Sequence, residues 1–326
     1  MNIRFLGILL IVLVTTTGCS LPQINLFPQE GPLKEVVLEG SGQDKILVLS
    51  IDGPISDKPK EGLLKSSPGM VQEFISHLKL AEKDPEIKAL LLKVNSPGGP
   101  VTASDILYHE ISAYKERSGV KLVVSMMDVA ASGGYYLSLP ADWIMAHPTT
   151  VTGSVGVIFM RPGVSGFMEK FGFSMNVSKS GDQKDMGSPF RASNTADEAI
   201  FQELTDQMAD RFYGLVQKHR QLNPEQMRQV STARIYLAPY AKKLGLVDEV
   251  GYLKDAVAKA KSLAGVGPDA KVVTYQRHES QEVHIYNAAV QTEGTTPQLA
   301  VPSLSRMVGL PAAGFYYIWP AAVRQP

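Results

Sequence analysis

Ser132 stands in the stretch Asp128-Val-Ala-Ala-Ser-Gly-Gly-Tyr-Tyr-Leu-Ser-Leu-Pro140. A β-type run over 121–127 leads into it, a small-residue turn follows, and then comes an apolar segment that can be helical. Strand, tight turn, serine, helix is an arrangement that presents a nucleophilic serine. Glycines let the backbone turn sharply, and a helix start aims free N–H groups at the serine oxygen, favouring negative charge there. A serine at a helix start is also a common cap, so this segment by itself leaves both roles open.

A nucleophile of this kind needs donors for an oxyanion and a base. Asn95-Ser-Pro-Gly98-Gly99 comes directly off an apolar strand. Its paired glycines, Gly98 and Gly99, would expose backbone N–H groups without side-chain obstruction, as an oxyanion hole requires; they would equally serve a plain strand-to-helix turn. For the base, histidine is the usual choice. His77, His109, His147, His219, His278 and His284 show no evident Asp partner, and His147, in a short loop before Pro148, is the best placed. Lysine is the alternative. It accepts a proton only when neutral, so its pKa must fall well below ~10.4, which desolvation achieves. Lys184 sits in Ser180-Gly-Asp-Gln-Lys-Asp-Met-Gly-Ser-Pro-Phe-Arg191, between a strand candidate at 173–177 and a long helix. Asp182 and Asp185 oppose the role if they face the amine, because a nearby anion favours the ammonium.

The elements that would position these residues follow from periodicity. Apolar runs at 45–51, 87–94 and 121–127 read as buried strands, with helical spacing at 69–84 and 102–117 between them. Further strands are expected at 143–146, 153–159 and 246–250, and helices at 195–220, 223–230, 238–244 and 252–263. Strand and helix alternating in this rhythm predict an α/β body with a mostly parallel sheet. A domain boundary is placed near residue 265, and the apolar, aromatic end Leu310-Pro-Ala-Ala-Gly-Phe-Tyr-Tyr-Ile-Trp-Pro320 is read as a poorly ordered terminus.

Composition narrows the partners. Lys+Arg and Asp+Glu number 32 each, so no basic excess points to nucleic acid and no acidic excess to disorder. Cys19 is the one cysteine, which excludes an internal disulfide or a multi-cysteine metal site. Residues 1–18 carry Arg4, a short apolar run and Thr-Thr-Thr-Gly before Cys19, the architecture of an export signal too short to span a bilayer. A cysteine directly after Gly18 resembles a bacterial lipobox, although Thr16 stands where leucine is usual. Lipidation at Cys19, with Ser20 next, implies an envelope protein facing the periplasm, the outer membrane favoured over the inner. Residues 19–44, with Pro22, Pro28 and Pro32, are read as a tether.

Four motifs in order carry a resemblance: Asn95-Ser-Pro-Gly-Gly99, Ala131-Ser-Gly-Gly-Tyr-Tyr136, Gly153-Ser-Val-Gly-Val157, and Gly181-x-x-Lys-Asp185 with Ser188-Pro-Phe-Arg191. Over about residues 45–262 the chain is similar to the signal peptide peptidase A family of serine proteases, in its short, single-unit form. The resemblance implies the Clp protease/crotonase-like fold, with repeated ββα units and a mostly parallel sheet. It assigns Ser132 as nucleophile, Lys184 as general base, Gly99 with its neighbour Gly98 to the oxyanion hole, and Ser154 as a hydroxyl that orients the lysine. It implies unfolded apolar peptides, leftover signal peptides among them, as substrates, cut without ATP, metal or other cofactor. It also implies a homo-oligomeric ring in which the dyad can be completed across subunits. The rival expectation is a catalytically silent scaffold of the same fold, since fold alone does not fix function.

Overall fold

A computed structural model of the chain describes residues 31–61, 66–277, 285 and 313–322. Cys19 and the expected export signal lie outside the described residues. The chain divides into two units, Met1–Pro32 and Leu33–Pro326, and the elements below all belong to the second.

Strands β1 (Lys34–Glu39) and β2 (Lys45–Asp52) are followed by a two-residue pairing of β3 (Lys60–Glu61) with β4 (Ser66–Ser67) and by helix α1 (Met70–Ala81). Then come β5 (Ile87–Ser96), β6 (Gly98–Pro100), α2 (Val101–Ser118), β7 (Lys121–Ala131) and the single turn of α3 (Gly133–Tyr136). β8 (Trp143–Ala146), β9 (Val151–Gly153), β10 (Ile158–Met160) and α4 (Ser165–Lys170) lead to the long helix α5 (Thr195–Arg220). α6 (Pro224–Val230), β11 (Ile235–Leu237), α7 (Ala238–Lys243), β12 (Glu249–Val250), α8 (Leu253–Ala264), β13 (Lys271–Gln276) and β14 (Gly314–Ile318) complete the order.

The main sheet runs β1-β13-β2-β5-β7-β8-β12, with β9 on β7 and β11 on β9. β13, β2, β5, β7, β8 and β12 pair in parallel, as does β9 with β7. The continuous apolar runs have a simple cause: both faces of the sheet are covered. Leu47, Leu49, Leu90, Leu92, Leu122 and Val124 pack on the face of α1 and α2. Ile46, Val48, Ala89, Leu91 and Val123 pack on the other, against Leu253, Ala256, Val257 and Ala260 of α8. Each such branched side chain contributes roughly 1.5–3 kcal/mol by leaving water. The mixed α/β, mostly parallel body expected from the sequence is present, and β5-β6-α2 forms one ββα unit within it.

Four expectations need correction. The tether of 19–44 is too long, because Lys34–Glu39 is edge strand β1, paired antiparallel with β13. The boundary near 265 is misplaced, because β13 is inserted between β1 and β2 inside the main sheet. The terminus is not poorly ordered throughout, since β14 joins β6 and β10 in a second, antiparallel sheet. Residues 173–177 form no strand; Phe173, Met175 and Val177 are exposed on irregular backbone.

Candidate active site

β7 delivers Ser132. Its first half pairs with β8 and its end with β9, Ala131 opposite Gly153. A bulge in the β5–β7 ladder lies between the Val94–Met126 and Ser96–Ala130 pairs. Asn95 closes it, its Oδ1 accepting from the Val129 N–H at 3.1 Å. Thr150 and Thr152 donate their hydroxyls to the carbonyls of Met126 (3.0 Å) and Ala130 (2.6 Å), pinning the end of the strand.

At the strand end the backbone of Ser132 adopts φ 52 and ψ −114. A non-glycine residue rarely occupies that region, at a cost of about 1–3 kcal/mol. The Ser132 N–H donates to the Gly153 carbonyl at 2.8 Å, and its own carbonyl accepts from the Tyr136 N–H at 2.8 Å, which holds the turn. The side chain is no helix cap. Its Oγ is buried without a hydrogen-bond partner among the described residues. A buried hydroxyl without a partner in a strained turn is not a capping serine, and strain of this kind gathers at functional sites.

Gly98 and Gly99 lie beside this turn. The Ser96 hydroxyl accepts from the Gly98 N–H at 3.1 Å, and the Gly98 carbonyl accepts from the Ile55 N–H at 2.9 Å. Gly98 has φ +95, and a Cβ there would stand 2.6 Å from the Gly133 nitrogen. A Cβ on Gly133 would in turn meet the Gly98 Cα at 3.0 Å. The two backbones therefore meet closely enough that neither position tolerates a side chain. Ser154, also at positive φ (51°), directly follows Gly153, the register partner of Ala131.

Lys184 is not brought to Ser132 within the chain. It lies in an exposed turn, its N–H donating to the Gly181 carbonyl at 3.1 Å. Asp185, the anion that would oppose it, is engaged elsewhere: it accepts from Lys179 Nζ and Arg191 Nη2, each at 2.9 Å. Hydrogen bonds from Arg191 and then Lys179 hold its carboxyl down at about 2. Arg191 also pairs with the buried Asp197 at 2.6 Å, tying this segment to the first turn of α5. His147 is half-buried, its Nδ1 2.9 Å from the Thr149 hydroxyl and its ring edge-on to Tyr252, contacts that engage it away from the serine.

Among the described residues two strand lysines are buried: Lys45, paired with Glu35, Asp84 and Glu86, and Lys93, pushed down by desolvation and facing Asp52. Lys93 pairs in register with Ser50 and Ser125, three residues before Ser96 and so about 10 Å short of the turn. It belongs to the sheet, not to the site.

Tyr135 and Tyr136 pack rather than react. The Tyr135 hydroxyl donates to the Leu246 carbonyl at 2.8 Å and the Tyr136 hydroxyl to Asp105 Oδ1 at 2.5 Å, and burial raises both phenols.

Comparison with known proteins decides the kinship. The model of Peptidase family S49 matches residues 114–267. A relative from Enterococcus faecium, named as a signal peptide peptidase SppA, is 35% identical over 74% of this chain and 70% of its own. The chain belongs to peptidase family S49. Protease 4 of Salmonella typhi is 35% identical over 67% of the chain, which corresponds to 34% of that longer protein. Serine protease SPPA of Arabidopsis thaliana is 30% identical over 78% of the chain and 37% of its own. Among solved structures, a ClpP1 mutant from Listeria monocytogenes aligns with TM-score 0.42 and 17% identity, covering 64% of this chain and 94% of its own. As an S49 protein the chain is a serine peptidase, and peptides are its substrates. The Ser132 turn and the Gly98-Gly99 turn, both singled out in the sequence, lie against each other in the structure. The sequence did not reveal that Asn95 closes a bulge, or that Gly133 is the glycine against which Gly98 packs, because both depend on contacts between strands.

Proposed function

We propose that this S49 peptidase cleaves unfolded, apolar peptides, leftover signal peptides among them, with a Ser132–Lys184 dyad at the extracytoplasmic face of a bacterial membrane. The observation that carries the reading is the turn at Ser132: left-handed backbone, a buried unpartnered hydroxyl, and glycine backbone on either side.

In this mechanism Lys184, neutral, takes the proton from the Ser132 hydroxyl as Oγ bonds to the peptide carbonyl carbon. The carbonyl π electrons move to oxygen, which is stabilised by the N–H groups of Gly99 and Gly133. As the C–N bond breaks, the lysine ammonium returns its proton to the leaving amine. Water then attacks the acyl-enzyme, losing a proton to the same lysine, and Ser132 is released on reprotonation. Ser154, one register step away, orients the amine. No nucleotide, metal or other cofactor enters any step.

The lysine comes from a second copy of the chain. Its segment is exposed, and the same region presents Phe167, Phe171, Phe173, Met175, Val177 and Phe190 to solvent. An apolar surface of this kind fits an interface. Packing against a neighbour would desolvate Lys184 and carry it to that neighbour's Ser132, closing a ring. Lipid on Cys19 would hold the ring at the envelope, the outer membrane favoured, facing the periplasm. Among the described residues no helix is long and apolar enough to cross a membrane.

Labelling with a serine-directed fluorophosphonate tests the reading. The native protein is expected to label at Ser132 and to hydrolyse a denatured protein, and Ser132→Ala to do neither. A native protein that neither labels nor hydrolyses would establish the silent scaffold instead.

A further inference from the structure

Polar residues gather where β2, β5 and β7 end, on the α8 side of the sheet. Side chains alternate along a strand, so Ile46 and Val48 are followed on that face by Ser50 and Asp52, and Ala89 and Leu91 by Lys93 and Asn95. The register sets Ser50, Lys93 and Ser125 abreast, and Asp52 opposite Asn95 one step further on. Ser50, Lys93 and Ser125 are buried, and Asp52 and Asn95 are half-buried. An acidic residue at the end of an otherwise apolar strand is costly unless its charge is used.

Asn95 uses both ends of its carboxamide. Between the Val94–Met126 and Ser96–Ala130 pairs it stands opposite residues 127–129 of β7. One residue's backbone cannot pair with three, and the Asn95 Oδ1 takes the Val129 N–H at 3.1 Å. On its other side the amide donates to the Asp52 carboxylate, while the Asn95 backbone carbonyl accepts from the Gly53 N–H at 2.8 Å. A carboxylate only accepts, so Asp52 decides which way the carboxamide faces. Turned over, Asn95 would set an NH2 group against the Val129 N–H, donor against donor. Burial raises the Asp52 carboxyl, and Lys93, then the Asn95 amide, oppose that.

The consequence reaches Ser132, three residues beyond Val129. Val129, Ala130 and Ala131 pair with Val151, Thr152 and Gly153 of β9. On the other strand Ser96, next to Asn95, accepts from the Gly98 N–H. One carboxamide thus ties together the two strands whose ends carry the serine turn and the glycine turn. We infer that Asp52 is a positioning residue: it orients Asn95, which holds the β7 bulge and so aims the Ser132 hydroxyl at the carbonyl it attacks. This rests on the peptidase reading proposed above. Asp52 acts through Asn95 and not on the substrate.

Asp52→Leu removes the acceptor at similar volume, and Asp52→Asn keeps one. Hydrolysis of dye-labelled denatured casein gives kcat and KM, and amide hydrogen exchange resolved at Val129 reads the bulge itself. In Asp52→Leu kcat is expected to fall about ten- to a hundred-fold, the effect of a misplaced reacting group, with KM held within about two-fold. Val129 should exchange at least about ten-fold faster. Asp52→Asn is expected to recover most of kcat and to protect Val129 again. Native kcat in Asp52→Leu, or a fall that Asp52→Asn shares or that leaves Val129 protected, overturns the inference. If Asp52→Leu does not fold, the exchanged pair decides. Asn95→Asp sets two carboxylates face to face and should lose most activity. Asn95→Asp combined with Asp52→Asn restores one donor and one acceptor and should regain it; a double variant no more active than Asn95→Asp overturns the inference. Failure of the peptidase reading has a separate mark: the native protein then hydrolyses nothing, while Val129 still loses protection in Asp52→Leu and regains it in Asp52→Asn.

Discussion

Ser132 concentrates two costs at one residue: a backbone in the left-handed region and a buried hydroxyl without a partner among the described residues. Both are relieved by glycine, which tolerates positive φ and carries no hydroxyl. Ser132→Gly is therefore expected to stabilise the fold by about 0.5–1 kcal/mol in denaturant unfolding, while peptide hydrolysis falls by at least about 10³-fold. An unchanged or lower midpoint would mean that the turn is not strained. The neighbouring glycines work in the other direction. Gly98→Ala sets a methyl 1.9 Å from the Tyr317 carbonyl oxygen at a backbone of φ +95, so a loss of roughly 2–3 kcal/mol or more is expected together with activity. Asp185 shows why a sequence neighbour is a poor guide to a lysine's environment. It follows Lys184 in the chain yet spends its charge on Arg191 and Lys179.

Among the elements, α1 is tied to the end of β13 by one carboxylate. Glu73 accepts from Arg277 Nε and Nη2, each at 2.8 Å, and lies 3.4 Å from His77 Nε2. Burial alone would raise its pKa, but His77 and Arg277 outweigh burial and hold it at about 2 against an ordinary 4.5. A depressed carboxylate stabilises the fold above its unfolded pKa, and that stability is lost as pH falls through the folded one. Native stability should thus fall between about pH 4.5 and 2, and Glu73→Gln should flatten that part of the profile and cost on the order of 1–3 kcal/mol at neutral pH. Denaturant midpoints at several pH values check both. Elements of this kind also mark how much was legible. β2, β5 and β7 could be read because burial on both faces writes an uninterrupted apolar run. α5 could be read because its stripe repeats over 26 residues. β1 could not be, since an edge strand joined to β13 across more than 200 residues leaves only a short, mixed pattern; residues 272–275 of β13 do read as a short strand, but not its place inside the main sheet. β14 was seen as an aromatic cluster, but its place on β6 depends on a pairing that periodicity does not encode. The strand expected at 173–177 failed for the opposite reason. Its alternating Phe173, Met175 and Val177 suit a strand, yet no neighbouring strand pairs with them among the described residues, and they face solvent.

For the whole molecule, the placement of Lys184 is the decisive fact. The Ser132 turn and its glycines are assembled within one chain, and Lys184 is held on an exposed segment rich in apolar side chains. Assembly and activity should therefore fail together. Phe173→Asp is expected to shift sedimentation to smaller species and to remove hydrolysis while leaving the melting temperature of the individual chain nearly unchanged; a full-sized, active particle would rule the segment out as the interface. The most direct measurement of the dyad across subunits is co-expression of Ser132→Ala chains with Lys184→Ala chains. Each variant alone should be inactive. The mixed assembly should recover a substantial fraction of native hydrolysis, because some Ser132 residues then meet a Lys184 from the other chain. Hydrolysis by Lys184→Ala alone, or mixed assemblies as silent as the single variants, would contradict a Ser132–Lys184 site shared between copies.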